Sequence, residues 1–347
     1  MIFMRIPLWV KTRMVDGASM QAMSANALLH APGTPYASGF LSRDNGHQLY
    51  YERHGRRGGH PVLFLHGGPG SGCNERHRQL FDPQVFDVLL FDQRGCGRSR
   101  ADHPLQANTS ADLVADIEAL RQHLSLPPCL VTGGSWGAGL ALAYAAQHPQ
   151  ACTGLVLRGL FLGRTSDLDW FFQTLKQALP DAWQALTQGL PPHQHTRVLE
   201  GLDQQLEGPQ ALEAALAWEA WENSVTARRA VPQRQLPHDS DAARHLLARY
   251  RLQAHYLTRQ CFWPGAGLLG RLGPLAPCPI ALLHGRLDWV CRPQASRDLM
   301  QVLPHSKIQW LDDTGHSPFE PAMAQALDQA LLHHARHLDF EHWGDSP

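Results

Sequence analysis

A serine set among glycines is the first feature of this sequence that could do chemistry. Gly133-Gly134-Ser135-Trp136-Gly137 has the spacing G-x-S-x-G. It follows a run that reads as a strand and opens one that reads as a helix, the context a nucleophile elbow requires. Small residues two places either side let strand and helix approach closely, and the serine itself sits on a strained turn. The helix N-terminus beside it directs backbone N–H groups at developing negative charge. A glycine-rich turn without chemistry would fit the same five residues, so the partners decide. Asp288 in His284-Gly285-Arg286-Leu287-Asp288 and His316 in Thr314-Gly315-His316-Ser317 each follow an apolar run, in the order Ser, Asp, His. His316 would take the Ser135 proton and return it to the leaving group, while Asp288 fixes the imidazole tautomer. Asp312 and Asp313 are competing acids, but they lie too close in sequence to His316 to reach its far nitrogen easily.

Acyl transfer also needs donors for an oxyanion. The Trp136 backbone N–H is one. The second comes from His66-Gly67-Gly68-Pro69-Gly70, where glycine lets the backbone approach closely. Gly68 is the first choice and Gly67 the reserve. His66 is assigned to shaping that loop. Asp92, in Asp92-Gln93-Arg94-Gly95, is assigned to bracing it.

These residues need a scaffold that delivers them to one edge. Residues 61–66 (PVLFLH) and 86–92 (FDVLLFD) are short apolar runs of the kind buried on both faces of a parallel sheet. Residues 48–54, 129–132, 154–158, 279–284 and 307–311 also read as strands. Thr109-Ser110-Ala111-Asp112 resembles a capping box that opens a helix reaching Leu124. Further helices are expected at 136–148, 293–303 and 322–338. Strands alternating with helices imply an α/β fold with a mostly parallel, doubly wound sheet. Residues 163–275 carry no clear strand, only helical stretches broken at prolines, and read as an inserted all-helical cap. The core is then 37–162 together with 276–347, and 1–36 reads as a disordered N-terminal extension.

Composition narrows the function classes. The 347 residues hold 30 Lys+Arg against 31 Asp+Glu, a net charge of −1, which argues against nucleic-acid binding. No apolar run approaches the ~20 residues that span a bilayer, and Arg5 interrupts what would be the apolar region of a signal peptide. Seven scattered cysteines without a C-x-x-C pair read as reduced thiols of a cytosolic protein. The 21 histidines would make the protein strongly cationic toward pH 5. His333 and His337 have i,i+4 spacing but no evident carboxylate partner, so they read as a solvated helix face and no metal site is assigned.

HGGPG at 66–70, DQRGCGRS at 92–99, GGSWG at 133–137, RGLF at 158–161, HGRLD at 284–288 and GHS at 315–317 together resemble the proline iminopeptidase (prolyl aminopeptidase) family of α/β-hydrolases. The likeness runs from Ser38 to Leu338. It implies a cofactor-free cytosolic serine exopeptidase that removes an N-terminal proline from small peptides. Trp218-Glu219-Ala220-Trp221-Glu222 is similar to the family's amine-binding segment, which assigns Glu222 to the substrate amine. Phe161, with Phe171 or Phe172, would form the slot for the proline ring. One departure stands out. The family commonly has a second glutamate where Arg251-Leu252-Gln253-Ala254-His255-Tyr256-Leu257 has Gln253, and an aromatic where it has Leu257. Gln253 can still accept a hydrogen bond from an ammonium group but brings no charge. An amidase, esterase or broader aminopeptidase is therefore the alternative. A non-catalytic binding protein on the same fold would predict a broken triad or oxyanion loop, whereas both are complete. Serine at the elbow excludes the aspartate-nucleophile dehalogenases and epoxide hydrolases. Oligomeric state has no signal in the sequence.

Overall fold

Apolar runs with no polar interruption become the inner strands. The computed structural model describes residues 29–343 apart from 264, 266 and 276. Its strands are β1 (Ala37–Ser42), β2 (Gln48–Gly55), β3 (His60–Leu65), β4 (Phe86–Phe91), β5 (Cys129–Gly134), β6 (Cys152–Arg158), β7 (Ile280–Gly285) and β8 (Lys307–Leu311). They form one sheet in the order β1-β2-β4-β3-β5-β6-β7-β8. β1 with β2 and β2 with β4 are antiparallel, and the pairs from β4 through β3 to β8 are parallel. Every residue of β4, β5 and β7 is buried. Helices on both faces bring this about, since a parallel crossover must pass over one face or the other. The helices Ser110–His123 and Trp136–Gln147 cover one face, and Pro321–His337 packs on the other.

The Thr109 box forms as its sequence suggests, with the Asp112 carboxylate accepting the Thr109 backbone N–H at 2.9 Å. β1 is an addition to the sequence reading. It is a mostly exposed edge strand, so no buried alternation marks it. The extension expected over 1–36 lies outside the described residues as far as 28. The remainder is held to the core: His30 N–H donates to Gln79 O and Tyr36 N–H to Arg53 O, both at 2.9 Å.

Between β6 and β7 the described residues form helices only, chiefly Pro180–Thr187, Val198–Leu206, Ala211–Ala227 and Asp241–Leu257. Their inner faces carry Trp218, Trp221 and Tyr250, all fully buried. Tyr256 Oη donates to Asn108 Oδ1 at 2.6 Å and Trp170 Nε1 to Trp289 O at 2.8 Å, tying this layer to the sheet loops. Chain connections leave β3 and β5 in opposite directions along the sheet. A crevice opens outside the carboxyl ends of such neighbours, and there the loop after β3 meets the turn after β5.

Candidate active site

Ser135 lies at the junction of β5 and the Trp136–Gln147 helix with φ 57° and ψ −125°, a strained conformation for a residue with a side chain. The neighbouring glycines are demanded by contact. A β-carbon on Gly137 would sit 2.1 Å from Leu65 O, and one on Gly133 would sit 2.6 Å from Gly137 O. Ser135 N–H donates to Arg158 O at 2.9 Å, which pins the turn to the end of β6.

Asp288 follows β7 and His316 follows β8. His316 Nδ1 and Asp288 Oδ2 are 2.7 Å apart. The other carboxylate oxygen of Asp288 accepts from Val290 N–H at 2.9 Å and Cys291 N–H at 2.8 Å. Burial raises the Asp288 carboxyl, but the adjacent His316, His284 and Cys291 N–H outweigh it and hold the group below its ordinary value. The acid therefore remains an acceptor that orients the ring. Gly159 keeps space open beside this pair, since a β-carbon there would lie 3.0 Å from Asp288 Oδ2 and 3.1 Å from His316 Nδ1.

Ser135 Oγ is engaged with the Cys291 thiol, 3.6 Å away, rather than with His316. Burial, and then the Asp288 charge, push that thiol well above its usual range, so it stays a neutral S–H. The spacing Asp288-x-x-Cys291 was the available signal for this residue, because a turn after an acid returns its third residue to the carboxylate.

The oxyanion loop is braced from behind. His66 is fully buried and accepts the Gln93 N–H on Nε2 at 3.0 Å, while its Nδ1 lies 2.8 Å from Gly67 O and 3.2 Å from the Gly72 N–H, so the ring touches both arms of the loop. Burial lowers its pKa, which favours the neutral imidazole. The Gln93 side chain donates to His66 O at 3.0 Å and accepts from the Trp136 indole at 2.9 Å. It thus links the carriers of both candidate oxyanion donors. The Trp136 N–H, at the first helical position, has no intrahelical acceptor. Gly68 has φ 124° and borders the same cavity as Ser135, while a β-carbon on Gly67 would lie 3.5 Å from Ser135 Cβ. Asp92 accepts from Cys73 N–H at 2.6 Å and from both the backbone and Nε of Arg98 at 2.8 Å. Its position is that of a brace.

A cavity of about 60 Å³ opens beside Ser135, with Phe161, Phe171, Phe172 and Leu257 among its walls and Glu222 and Gln253 also lining it. Glu222 Oε2 accepts from Arg249 Nη2 at 3.0 Å and Tyr250 Oη at 2.8 Å, and Glu222 Oε1 accepts from Gln253 Nε2. That last bond fixes the amide orientation of Gln253. Its Oε1 is buried and has no partner among the described residues. Asp167 also borders the cavity and is held by Arg164, with two side-chain bonds of 3.0 Å, and by Arg292 at 3.1 Å. Arg249, Tyr250 and Asp167 carried no motif in the sequence. Their importance follows only from what they touch.

The remaining histidines divide as their surroundings dictate. His284 donates from Nε2 to Cys291 O at 2.9 Å and accepts the Ser296 hydroxyl on Nδ1 at 2.7 Å, and His255 donates from Nε2 to Asn108 O at 2.9 Å. His333 has Asp339 3.8 Å away, a carboxylate partner that its sequence context did not reveal.

An α/β-hydrolase-fold family model matches residues 60–322. A proline iminopeptidase of Xanthomonas citri is 40% identical over 302 residues, covering 86% of this chain and 96% of that one. One from Arabidopsis thaliana is 39% identical over 305 residues, covering 86% of this chain and 80% of its own. Among solved structures, the proline iminopeptidase of Mycobacterium smegmatis superposes with a TM-score of 0.61 at 20% identity, covering 87% of this chain and 100% of the other. That likeness bears on the fold. With a matched fold model and relatives near two-fifths identity along most of the chain, this protein belongs to the proline iminopeptidase family of α/β-hydrolases.

Proposed function

We propose that the protein is a serine exopeptidase releasing N-terminal proline, with Ser135, His316 and Asp288 as its catalytic groups and residues 163–275 as a cap over them. Ser135 attacks the prolyl carbonyl as its hydroxyl turns from Cys291 toward His316, which accepts the proton. The Trp136 and Gly68 N–H groups receive the oxyanion. His316 then protonates the leaving amine, and water hydrolyses the acyl-enzyme by the same route in reverse. The seven scattered free thiols support a reducing, cytoplasmic setting.

The observation that carries this reading is the small cavity with a nucleophile and amine acceptors on its walls. The walls beside Ser135 are apolar, with Phe161, Phe171, Phe172 and Leu257 around a small space, a setting that suits a compact ring such as pyrrolidine. The acceptors suit a substrate ammonium group. Three of the roughly four lone-pair positions of Glu222 are taken, which leaves one on Oε1, and Gln253 Oε1, without a partner among the described residues, supplies up to two more. These positions serve the two N–H groups of a prolyl terminus and also the three of a primary amine, so preference for proline rests on the walls of the cavity.

One observation favours broader activity. Glu222 already faces Arg249, and Gln253 is neutral, so the amine meets little net negative charge. Hydrolysis of Pro-, Ala- and Leu-β-naphthylamides and a matching ester separates the readings, using wild type and Ser135→Ala. Turnover of the Pro-amide above that of the others, abolished by Ser135→Ala, is expected from the compact apolar walls beside Ser135. Ester turnover without Pro-amide turnover would leave a general hydrolase, and no Ser135-dependent turnover would remove the enzyme reading.

A further inference from the structure

Most arginines around the catalytic groups are committed. Arg158 donates to His316 O, Arg164 and Arg292 hold Asp167, and Arg249 holds Glu222. Arg228 differs. It follows the Ala211–Ala227 helix in a left-handed conformation, φ 54°, and its Nη1 donates to Leu287 O at 3.3 Å. Among the described residues no carboxylate lies within ion-pair distance of it. Its guanidinium rests against the residue before His316, since a β-carbon on Gly315 would lie 2.6 Å from Nη1. Glu320 faces the same glycine, but its two oxygens accept the Gly315 N–H at 2.8 Å and the Ser317 N–H at 3.2 Å.

The prolyl cavity is lined by neither Arg228 nor His316. The leaving amine must meet His316 to be protonated, so the leaving residue lies on the His316 side of the scissile bond. The His316 side chain is 14% exposed there, and Arg228 is half-buried, open to an incoming group. In a dipeptide, the carboxylate carbon is two bonds from the scissile nitrogen, about 2.5 Å away. Each added residue moves that carboxylate up to about 3.5 Å farther off. A cation beside His316 therefore selects by length as well as charge.

We propose that Arg228 binds the free α-carboxylate of the leaving residue and makes dipeptides the preferred substrates. This assignment rests on the peptidase reading above. Arg228→Gln keeps a donor for Leu287 O and removes the charge. It raises KM for Pro-Ala about tenfold, the scale of losing one partly exposed charge-assisted hydrogen bond, with kcat little changed. KM for Pro-alaninamide and Pro-β-naphthylamide, which lack the carboxylate, stays within about twofold, the range of a surface change that removes no contact to the ligand. Arg228→Lys restores much of the Pro-Ala affinity. An unchanged KM for Pro-Ala overturns the assignment, and so does an equal loss on all three substrates, which would make Arg228 a brace between the helical layer and the catalytic loops. Failure of the wild type to hydrolyse Pro-β-naphthylamide through Ser135 defeats the peptidase reading first and this assignment with it.

Discussion

At the scale of single residues, Gln253 makes the sharpest case. Its amide donates to Glu222 and its oxygen is left buried and unpaired among the described residues, so it sits between a carboxylate and whatever amine enters. Gln253→Glu should lower KM for Pro-amides by roughly tenfold, since a charged acceptor gains about 1–3 kcal/mol over a neutral one. The same change places two carboxylates in contact. Like charges at that range disfavour joint ionisation, so the unliganded variant should melt below wild type and recover when a proline-like amine is added. A variant with wild-type KM and wild-type melting would mean that residue 253 faces elsewhere. The sequence identified this position through its segment. It could not reveal that Arg249 and Tyr250, four and three places earlier, turn onto the same carboxylate from one helix.

At the scale of elements, the turn between β5 and its helix depends on an absence of side chains. Gly137 lies in the first turn of the helix, where alanine is ordinarily better by about 0.8–1 kcal/mol. Here the contact decides the sign. A β-carbon 2.1 Å from Leu65 O forces β3 and the helix apart, and overpacking of that kind costs about 1–3 kcal/mol. Gly137→Ala should therefore lower the melting temperature and, because it shifts the Trp136 N–H against the Gly68 loop, reduce kcat more than it raises KM. Thermal melts and steady-state kinetics on the Pro-amide check both. A stabilised, fully active variant would contradict the contact. The motif spacing announced this turn and the capping box announced its helix neighbour, because both signals are local. β1 was not announced, since an exposed edge strand needs no apolar alternation.

At the scale of the whole molecule, the histidines act through burial. The expectation of a strongly cationic protein toward pH 5 counted every histidine alike, and burial takes several out of that count. Burial lowers His60, His66 and His284, and takes His77 and His334 down to about 4. His334 is fully buried, with Nδ1 3.2 Å from His60 Nε2 and Nε2 3.1 Å from Thr153 O. His77 and His334 stay neutral in the folded chain down to about pH 4 but protonate near 6.5 once unfolded, so the unfolded state binds more protons. Their contribution to stability is fully present above about pH 6.5 and is lost as pH drops toward about 4, by up to ~1.4 kcal/mol per pH unit for each of the two, and His60, His66 and His284 act in the same direction. Urea denaturation at pH 7 and pH 5 should show this loss. His334→Gln, which keeps a donor for Thr153 O but cannot titrate, should lessen the slope; an identical slope would place the effect in other groups.

What the sequence determined by itself was whatever depends on neighbours along the chain. The elbow around Ser135, the alternation of strand and helix, the chain order of acid and base, and the glycine loop after β3 are all of this kind. Tertiary structure alone decided how charges and lone pairs are shared. Glu222 is met by Arg249, Tyr250 and Gln253, Cys291 is brought to Ser135, Gln93 bridges His66 and Trp136, and Arg228 is left without a carboxylate among the described residues. The physical reason is range. Backbone preference and apolar periodicity act over a few residues, whereas hydrogen bonds and ion pairs act over a few ångströms between side chains that the fold brings together from distant parts of the chain.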